Sequence, residues 1–248
     1  MTSPRFLVVI PARYGSERLP CKPLLDIAGK PMIVRVYEAV QGSGAAEIVV
    51  ATDDERVASV CRAVGARVEL TAAHHASGTD RTAEVVERCG WDPHDIVVNV
   101  QGDEPLLPPR LVDQVAELLA SRTEAHLGTL VTDLRDERAF RDPNVVKVVA
   151  DRAGFALYFS RAPVPFPRAG GVPSGVKRHV GLYAYRVASL KILAGAPPCE
   201  IEIVERLEQL RALWLGLRIA IADALEPPPR GVDTAEDLAE VRRILEHR

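Results

Sequence analysis

Arg13, Arg18 and Lys22 crowd into one short segment, IPARYGSERLPCKPL (residues 10–24), directly behind the apolar run Phe6–Ile10. A loop that only reverses the chain takes about two to six residues and has no need of so many cations. Farther on, Gln101-Gly-Asp-Glu-Pro105 places Asp103 and Glu104 behind a second apolar run, Ile96–Val100, and Gly231-Val-Asp-Thr234 adds Asp233. Cations suit phosphates, and carboxylates are the hard oxygen ligands that Mg²⁺ takes, so the combined set fits a metal-bound polyphosphate. Each piece also has a plainer account. Charge alone fits a solvated loop, Gly-Asp-Glu fits a capped turn ahead of a helix at Pro109, and Asp233 fits simple N-capping. The opening loop is not a Walker A motif, because Lys22 stands between Cys21 and Pro23 with no glycine before it.

These residues need elements to position them. Apolar runs at Phe6–Ile10, Glu47–Ala51, Arg67–Leu70 and Ile96–Val100 read as strands, and helical patterns at Pro31–Val40, Asp54–Val64, Thr79–Cys89 and Pro109–Ala120 alternate with them. Asp53 and Asp54 together supply the cap of the second helix. Short, wholly apolar strands separated by helices imply an α/β fold with a mostly parallel central sheet covered on both faces. In such sheets ligands sit beyond the carboxyl ends of the strands, where the three charged loops fall.

The rhythm changes after residue 125. Leu127–Val131, Val145–Ala150, Ala156–Ser160 and Val180–Arg186 read as strands with few helices among them, around a proline- and glycine-rich loop at 162–177. The chain is therefore expected to be a single domain, 1–248, with a strand-rich insertion at about 127–190. A helix over Glu202–Leu215 is expected to place Glu205, Glu208 and Gln209 on one face and Leu207, Leu210 and Trp214 on another. A strand at Arg218–Ala222 and a helix from Thr234 close the chain. His74, His75, His94, His126 and His247 are assigned to surfaces and loops, whereas His179 follows the 162–177 loop and precedes a strand.

Of the 248 residues, 47% are hydrophobic and 26% charged, ordinary for a globular protein, and the formal net charge is −3. That balance argues against a nucleic-acid or anionic-membrane surface, so any anion site is local. No signal-peptide pattern and no run near the ~20 apolar residues of a membrane span is visible. Cys21, Cys61, Cys89 and Cys199 form no Cys-x-x-Cys pair, which fits reduced thiols. A cytoplasmic protein is expected.

The motifs accumulate in order along the chain: VVIPARYGSERLP-KPL (8–24), VATDDERV (50–57), SGTDR (77–81), VNVQGDEPLLP (98–108), NVVKVV (144–149), ALYFSRAPVPFPR (156–168), RHVGLYAYR (178–186), ERLEQLRAL (205–213) and GVDTAEDL (231–238). The series resembles the bacterial 3-deoxy-D-manno-octulosonate (Kdo) cytidylyltransferases over almost the whole chain. The resemblance implies a nucleotide-diphospho-sugar-transferase-like α/β fold, a homodimer, and Mg²⁺-dependent transfer of CMP from CTP to Kdo with release of pyrophosphate, a step of lipopolysaccharide biosynthesis. It implies that Arg13 and Lys22 clamp the phosphates with main-chain help from Ala12, Gly15 and Ser16, and that Arg13, Lys22 and Asp103 form the catalytic set. Asp103 and Asp233 are the implied metal ligands. Ser77, Gly78, Arg81 and Gln101 are carried over to the cytosine and ribose side, and Arg161, His179, Tyr183, Glu208 and Gln209 to Kdo.

Two departures stand out. Cys21 occupies the place of the family's usual glycine in Leu-Pro-Gly-Lys-Pro-Leu, where a positive φ would strain it by roughly 1 kcal/mol or more. His74-His75-Ala76-Ser77-Gly78-Thr79 stands where Asp-His-Gln-Ser-Gly-Thr is common. Transfer to another acidic sugar, 8-amino-Kdo or sialic acid, and a regulatory nucleotide-binding protein without turnover are the competing expectations. Retention of Lys22 and both carboxylates weighs against the second.

Overall fold

Phe6–Ala12 (β1) is buried along its whole length, as a strand covered on both faces must be. Its side chains alternate between two apolar layers. Phe6, Val8 and Ile10 join one cluster, and Val9 joins the other. The computed structural model describes residues 4–15, 19–229 and 231–246. Ser16 and Arg18 of the opening loop, and His247, lie outside the described residues.

The remaining strands are β2 (Asp26–Ile27), β3 (Lys30–Pro31), β4 (Glu47–Thr52), β5 (Arg67–Leu70), β6 (Ile96–Asn99), β7 (Leu127–Asp133), β8 (Lys147–Ala150), β9 (Ala156–Ser160), β10 (Lys177–Arg186) and β11 (Ile219–Asp223). The main sheet runs β11–β7–β10–β6–β1–β4–β5, with β8 and β9 attached beside β10. β1 pairs in parallel with β4 on one side and β6 on the other. β4 pairs in parallel with β5, β11 pairs in parallel with β7, and β10 runs antiparallel to both neighbours. The expected mostly parallel sheet is therefore present. β7 and β10 lie within its path, and β8 and β9 alone of the strands at 127–190 lie off it.

Helices α1 (Met32–Val40), α2 (Glu55–Ala63), α3 (Gly78–Cys89) and α4 (Pro109–Ser121) fall where the apolar periodicity put them. Val36, Val40, Val57, Leu111 and Val115 pack on the face of Val8, while Val85 and Val86 of α3 pack on the face of Val9. Each such side chain, removed wholly from water, contributes about 1.5–3 kcal/mol. Asp54 caps α2 by accepting the Arg56 N–H, but Asp53 does not share that task; it accepts the Tyr14 N–H instead. Helices α5 (Glu137–Arg141) and α6 (Val187–Gly195) were not anticipated; α6 is apolar nearly all round, so it carries little helical periodicity to read.

The expected single helix over 202–215 is two: α7 (Glu200–Glu205) and α8 (Gln209–Trp214), separated at Arg206, whose φ is 51°. The break lets Leu207 and Leu210 both reach the core, and it sends the acidic side chains to different partners. Glu205 accepts the Ser160 hydroxyl (2.6 Å) and the Arg161 N–H (2.9 Å) beside β9, whereas Glu208 turns toward α3. The shared face for Glu205, Glu208 and Gln209 is thus not formed, and Trp214 is 61% exposed. Across the break, the buried Arg211 holds Glu202 with two parallel N–H···O bonds of 2.8 and 2.5 Å. A closing helix, α9 (Ala235–Glu246), packs with Val232, Ile27 and Met32. No helix of the described residues is long and apolar enough to cross a membrane.

Removing one partner of a buried ion pair leaves the other uncompensated. Arg211→Ala is expected to lower unfolding free energy by about 3–5 kcal/mol in urea titration, and replacement of the whole pair, Arg211→Met with Glu202→Leu, by clearly less.

Candidate active site

Because β1 sends the chain first to β4 and later back to β6 on its other side, the carboxyl ends of β1 and β6 form a switch point where the following loops part. A cleft of about 470 Å³ opens there. Its walls are the loop after β1 (Pro11, Ala12, Arg13, Lys22), the start of α3 (His75 to Gly78, and Arg81), the loop after β6 (Gln101, Gly102, Asp103), and Asp233. The two loops touch at Gly102, where a Cβ would stand 2.7 Å from the Pro11 carbonyl oxygen. A side chain there would force them apart.

Lys22 lies at the floor. Its ammonium donates to Asp103 Oδ2 at 2.6 Å and to Asp233 Oδ1 at 3.1 Å, joining residues from opposite ends of the sequence. The direction of Lys22 is set by the residue before it: Cys21 has φ 56° and ψ 27°, and Lys22-Pro23-Leu24 then forms one turn of 3₁₀ helix with proline where the missing N–H costs nothing. The positive φ that the family's glycine would meet is therefore present, and Cys21 bears its cost, about 1–2 kcal/mol for a side-chain-bearing residue. Asp103 and Glu104, adjacent in sequence, have different settings. Asp103 faces the cleft, while burial, with the Asp103 charge beside it, pushes the Glu104 carboxyl up to about 8.

On the opposite wall, Ser77 caps α3 by accepting the Asp80 N–H, and Asp80 returns the bond to the Ser77 N–H. The amino end of that helix, with its exposed N–H groups and partial positive charge, thus borders the cleft. Gly78 is close-packed: a Cβ would lie 3.1 Å from Pro11 Cγ and 3.6 Å from Gln101 Oε1. Arg81 lines the cleft, but its guanidinium is bonded to the Thr71 hydroxyl and lies 3.4 Å from Asp53. It fixes the wall as much as it offers a donor. His75, read as a surface histidine, is another cleft residue, held by Glu84, which also accepts the Ala72 N–H. Its place two residues before Ser77 was the available signal.

The residues assigned to the sugar do not line this cleft; they form a polar layer behind it. Glu208 connects the two, accepting the Ser77 hydroxyl at 2.9 Å and the Thr79 hydroxyl at 2.8 Å. Burial raises its carboxyl pKa, against the lowering effect of those two bonds. Next come Tyr183 and His179, with ring centroids 5.2 Å apart, and His179 Nε2 lies 3.1 Å from the Thr129 hydroxyl. Burial, aided by Arg178, drives the His179 imidazole down to about 3, so it is neutral. The Tyr183 hydroxyl and, across the β6–β10 pairing, Asn99 Oδ1 are buried without a hydrogen-bond partner among the described residues. Gln209 is buried beside Glu208. Arg161 is farther out, its guanidinium donating to the carbonyls of Glu205, Pro143 and Arg206. Gly15 is described but does not line the cleft.

Among the described residues no group of three or more His, Cys, Asp or Glu side chains meets in a metal-binding cluster. Asp103 and Asp233 nevertheless fit Mg²⁺, which commonly takes one or two carboxylates and fills its remaining positions with water and substrate phosphates. The Lys22 ammonium lies between the two carboxylates, within ion-pair distance of both.

A mostly parallel α/β sheet with cations and carboxylates gathered in a cleft at its switch point suits enzymes that handle nucleotides, and comparison with known proteins narrows the class to the nucleotidyltransferases. A family model described as Cytidylyltransferase matches residues 7–219. A 3-deoxy-manno-octulosonate cytidylyltransferase of Pseudomonas fluorescens is 54% identical over 252 residues, covering 98% of this chain and 99% of that protein. One of the same name from Thioalkalivibrio sulfidiphilus is 53% identical over 246 residues, covering 97% and 98%. The solved structure of a CMP:2-keto-3-deoxy-manno-octonic acid synthetase complexed with CTP superposes with a TM-score of 0.91 at 40% identity, covering 98% of this chain and 99% of that one. The fold extends to a 4-diphosphocytidyl-2C-methyl-D-erythritol synthase, with a TM-score of 0.67 at 15% identity. The chain belongs to the 3-deoxy-manno-octulosonate cytidylyltransferase family.

Two outcomes follow from the geometry. Gly102→Ala is expected to weaken nucleotide binding by at least about tenfold in calorimetric titration, since the added Cβ meets main chain that cannot move aside. For His179, the folded state resists protonation while an unfolded imidazole accepts it, so stability is held above 6.5 and lost as pH falls from 6.5 toward about 3. Urea titrations near pH 7 and pH 5 should differ by about 1–2 kcal/mol more in the wild type than in His179→Gln.

Proposed function

We propose that this chain transfers CMP from CTP to the anomeric hydroxyl of Kdo. The observation that carries the reading is Lys22 held between Asp103 and Asp233 at the β1–β6 switch point, which gathers phosphate-binding and metal-binding groups into one cleft. The Kdo hydroxyl oxygen forms a bond to the α-phosphorus of CTP while the bond from that phosphorus to the bridging oxygen breaks. Pyrophosphate leaves with the bond's electron pair, and the hydroxyl proton passes to solvent.

Two anions must meet for this to occur, so the cations of the cleft offset their repulsion. Arg13 and Lys22 hold the triphosphate, Lys22 exchanging part of its contact with the carboxylates for phosphate oxygens. The Ser77–Gly78 turn and the amino end of α3 receive the cytidine side, with Gln101 opposite and Arg81 bracing the wall. Asp103 and Asp233 would hold Mg²⁺, which would neutralise phosphate charge and acidify the attacking hydroxyl. On the sugar side, Arg161, with donors to spare, supplies the positive charge for the Kdo carboxylate. His179, neutral, together with Tyr183, Glu208 and Gln209, supplies partners for hydroxyls. A homodimer accompanies this reading, supported by exposed apolar side chains on β9 and α7: Leu157, Ile203 and Val204 are 59%, 62% and 82% exposed.

Pyrophosphate release from CTP and Mg²⁺ is to be measured with Kdo, 8-amino-Kdo and N-acetylneuraminate in parallel, beside Asp103→Asn. Release with Kdo, falling by about a hundredfold or more in the variant, is the expected result. Release with another sugar alone would move the substrate, and CTP binding without release from any sugar would favour a regulatory protein.

A further inference from the structure

Tyr14 and Cys21 stand next to Arg13 and Lys22, two cations of the cleft, and they touch each other. The Tyr14 hydroxyl is within hydrogen-bond reach of the Cys21 thiol, seven positions along the chain. The rest of Tyr14 is fixed to the scaffold. Its N–H donates to Asp53 Oδ1 at 3.2 Å, and the Arg56 guanidinium lies over its ring, 3.6 Å from the centroid. Arg56 is itself held by Asp54, the cap of α2, through bonds of 2.9 and 2.6 Å. An unbroken series of contacts therefore runs from the first turn of α2 through Arg56 and Tyr14 to Cys21, and the next residue is Lys22.

The backbone at Cys21 makes this contact informative. A φ of 56° is where glycine would sit without strain, yet this chain keeps a side chain there. A strained conformation persists when its surroundings over-determine it. Here the surroundings are the Tyr14 hydroxyl on one side and the Lys22–Asp103–Asp233 contacts on the other. Glycine would satisfy the backbone but give Tyr14 nothing to hold.

We propose that Tyr14 and Cys21 are positioning residues, a clip across the loop that sets the reach of Lys22 and thereby the affinity for the triphosphate. Neither is assigned a contact with the reacting atoms. The inference rests on the reading of the cleft as the CTP site.

The test uses the full-length chain as Tyr14→Phe, Cys21→Gly, Cys21→Ser and the double variant Tyr14→Phe/Cys21→Gly. Tyr14→Phe and Cys21→Gly should each raise the KM for CTP about fivefold or more, with kcat and the KM for Kdo nearly unchanged. The double variant should be no worse than either single one, because both remove the same contact. Cys21→Ser, whose hydroxyl can still meet Tyr14, should recover most of the affinity. Cys21→Gly should melt at or above the wild-type temperature, separating the loss of affinity from any loss of stability. Alkylation of Cys21, followed by peptide mass, should speed up several-fold in Tyr14→Phe. An unchanged KM in Cys21→Gly, additive effects in the double variant, or an unchanged alkylation rate would each overturn the clip. Wild-type protein that neither binds CTP nor releases pyrophosphate would instead overturn the reading of the cleft, and the alkylation rate would still decide whether Tyr14 holds the thiol.

Discussion

The packing of Gly102 against the carbonyl of Pro11, which leaves no room for a Cβ, is the constraint on which the site depends. Parallel strands β1 and β6 lie side by side, and the loops leaving them diverge around whatever occupies the gap. Had the second loop carried a side chain at residue 102, Asp103 would stand farther from Lys22 and the two charges could not share the floor. Gly78 repeats the device on the other wall, where an added Cβ would crowd Pro11 and Gln101. Steric economy at two positions thus makes room for a crowded set of charged groups.

Those groups are arranged so that each sign is answered by the other. Lys22 has two carboxylates, Arg81 has Asp53, and Arg56 has Asp54. Charges already paired in the protein lie near their final places before a ligand arrives, which limits the reorganisation that binding requires. The residues expected to meet the sugar follow a different rule. There burial keeps His179 neutral and raises Glu208, and it leaves the Tyr183 hydroxyl and Asn99 carbonyl oxygen without partners among the described residues. Buried polar atoms without partners are costly, so this layer is the part of the structure where an added hydroxyl group would find unused hydrogen-bonding capacity.

Much of this was legible because it is local. Wholly apolar runs mark β1, β4 and β6, Asp54 sits where a cap belongs, and the loops at strand ends carry the cations and carboxylates. The left-handed backbone at Cys21 was foreseeable as a condition attached to a glycine position. What stayed hidden is non-local. Arg206 adopts a left-handed conformation with no glycine to announce it, so one amphipathic pattern concealed two helices. The Arg211–Glu202 pair that spans this break depends on where α8 folds back, not on sequence spacing. His75 has only its nearness to Ser77 to announce it, and the pairing with Glu84 that holds it at the wall is not readable from spacing. Arg161, singled out as a ligand residue, turns out to spend much of its guanidinium on main-chain carbonyls, a contact that no motif encodes.

Asp53 does not itself line the cleft, yet it touches both sides of it. One oxygen receives the N–H of Tyr14 in the cationic loop, and the other lies near the guanidinium of Arg81 at the start of α3. It works as a hinge pin common to two doors. A change at this position would loosen both walls together, so mutational tolerance on α2 should begin beyond its first turn. The outer face of that helix, not its amino end, is where the sequence is free to drift.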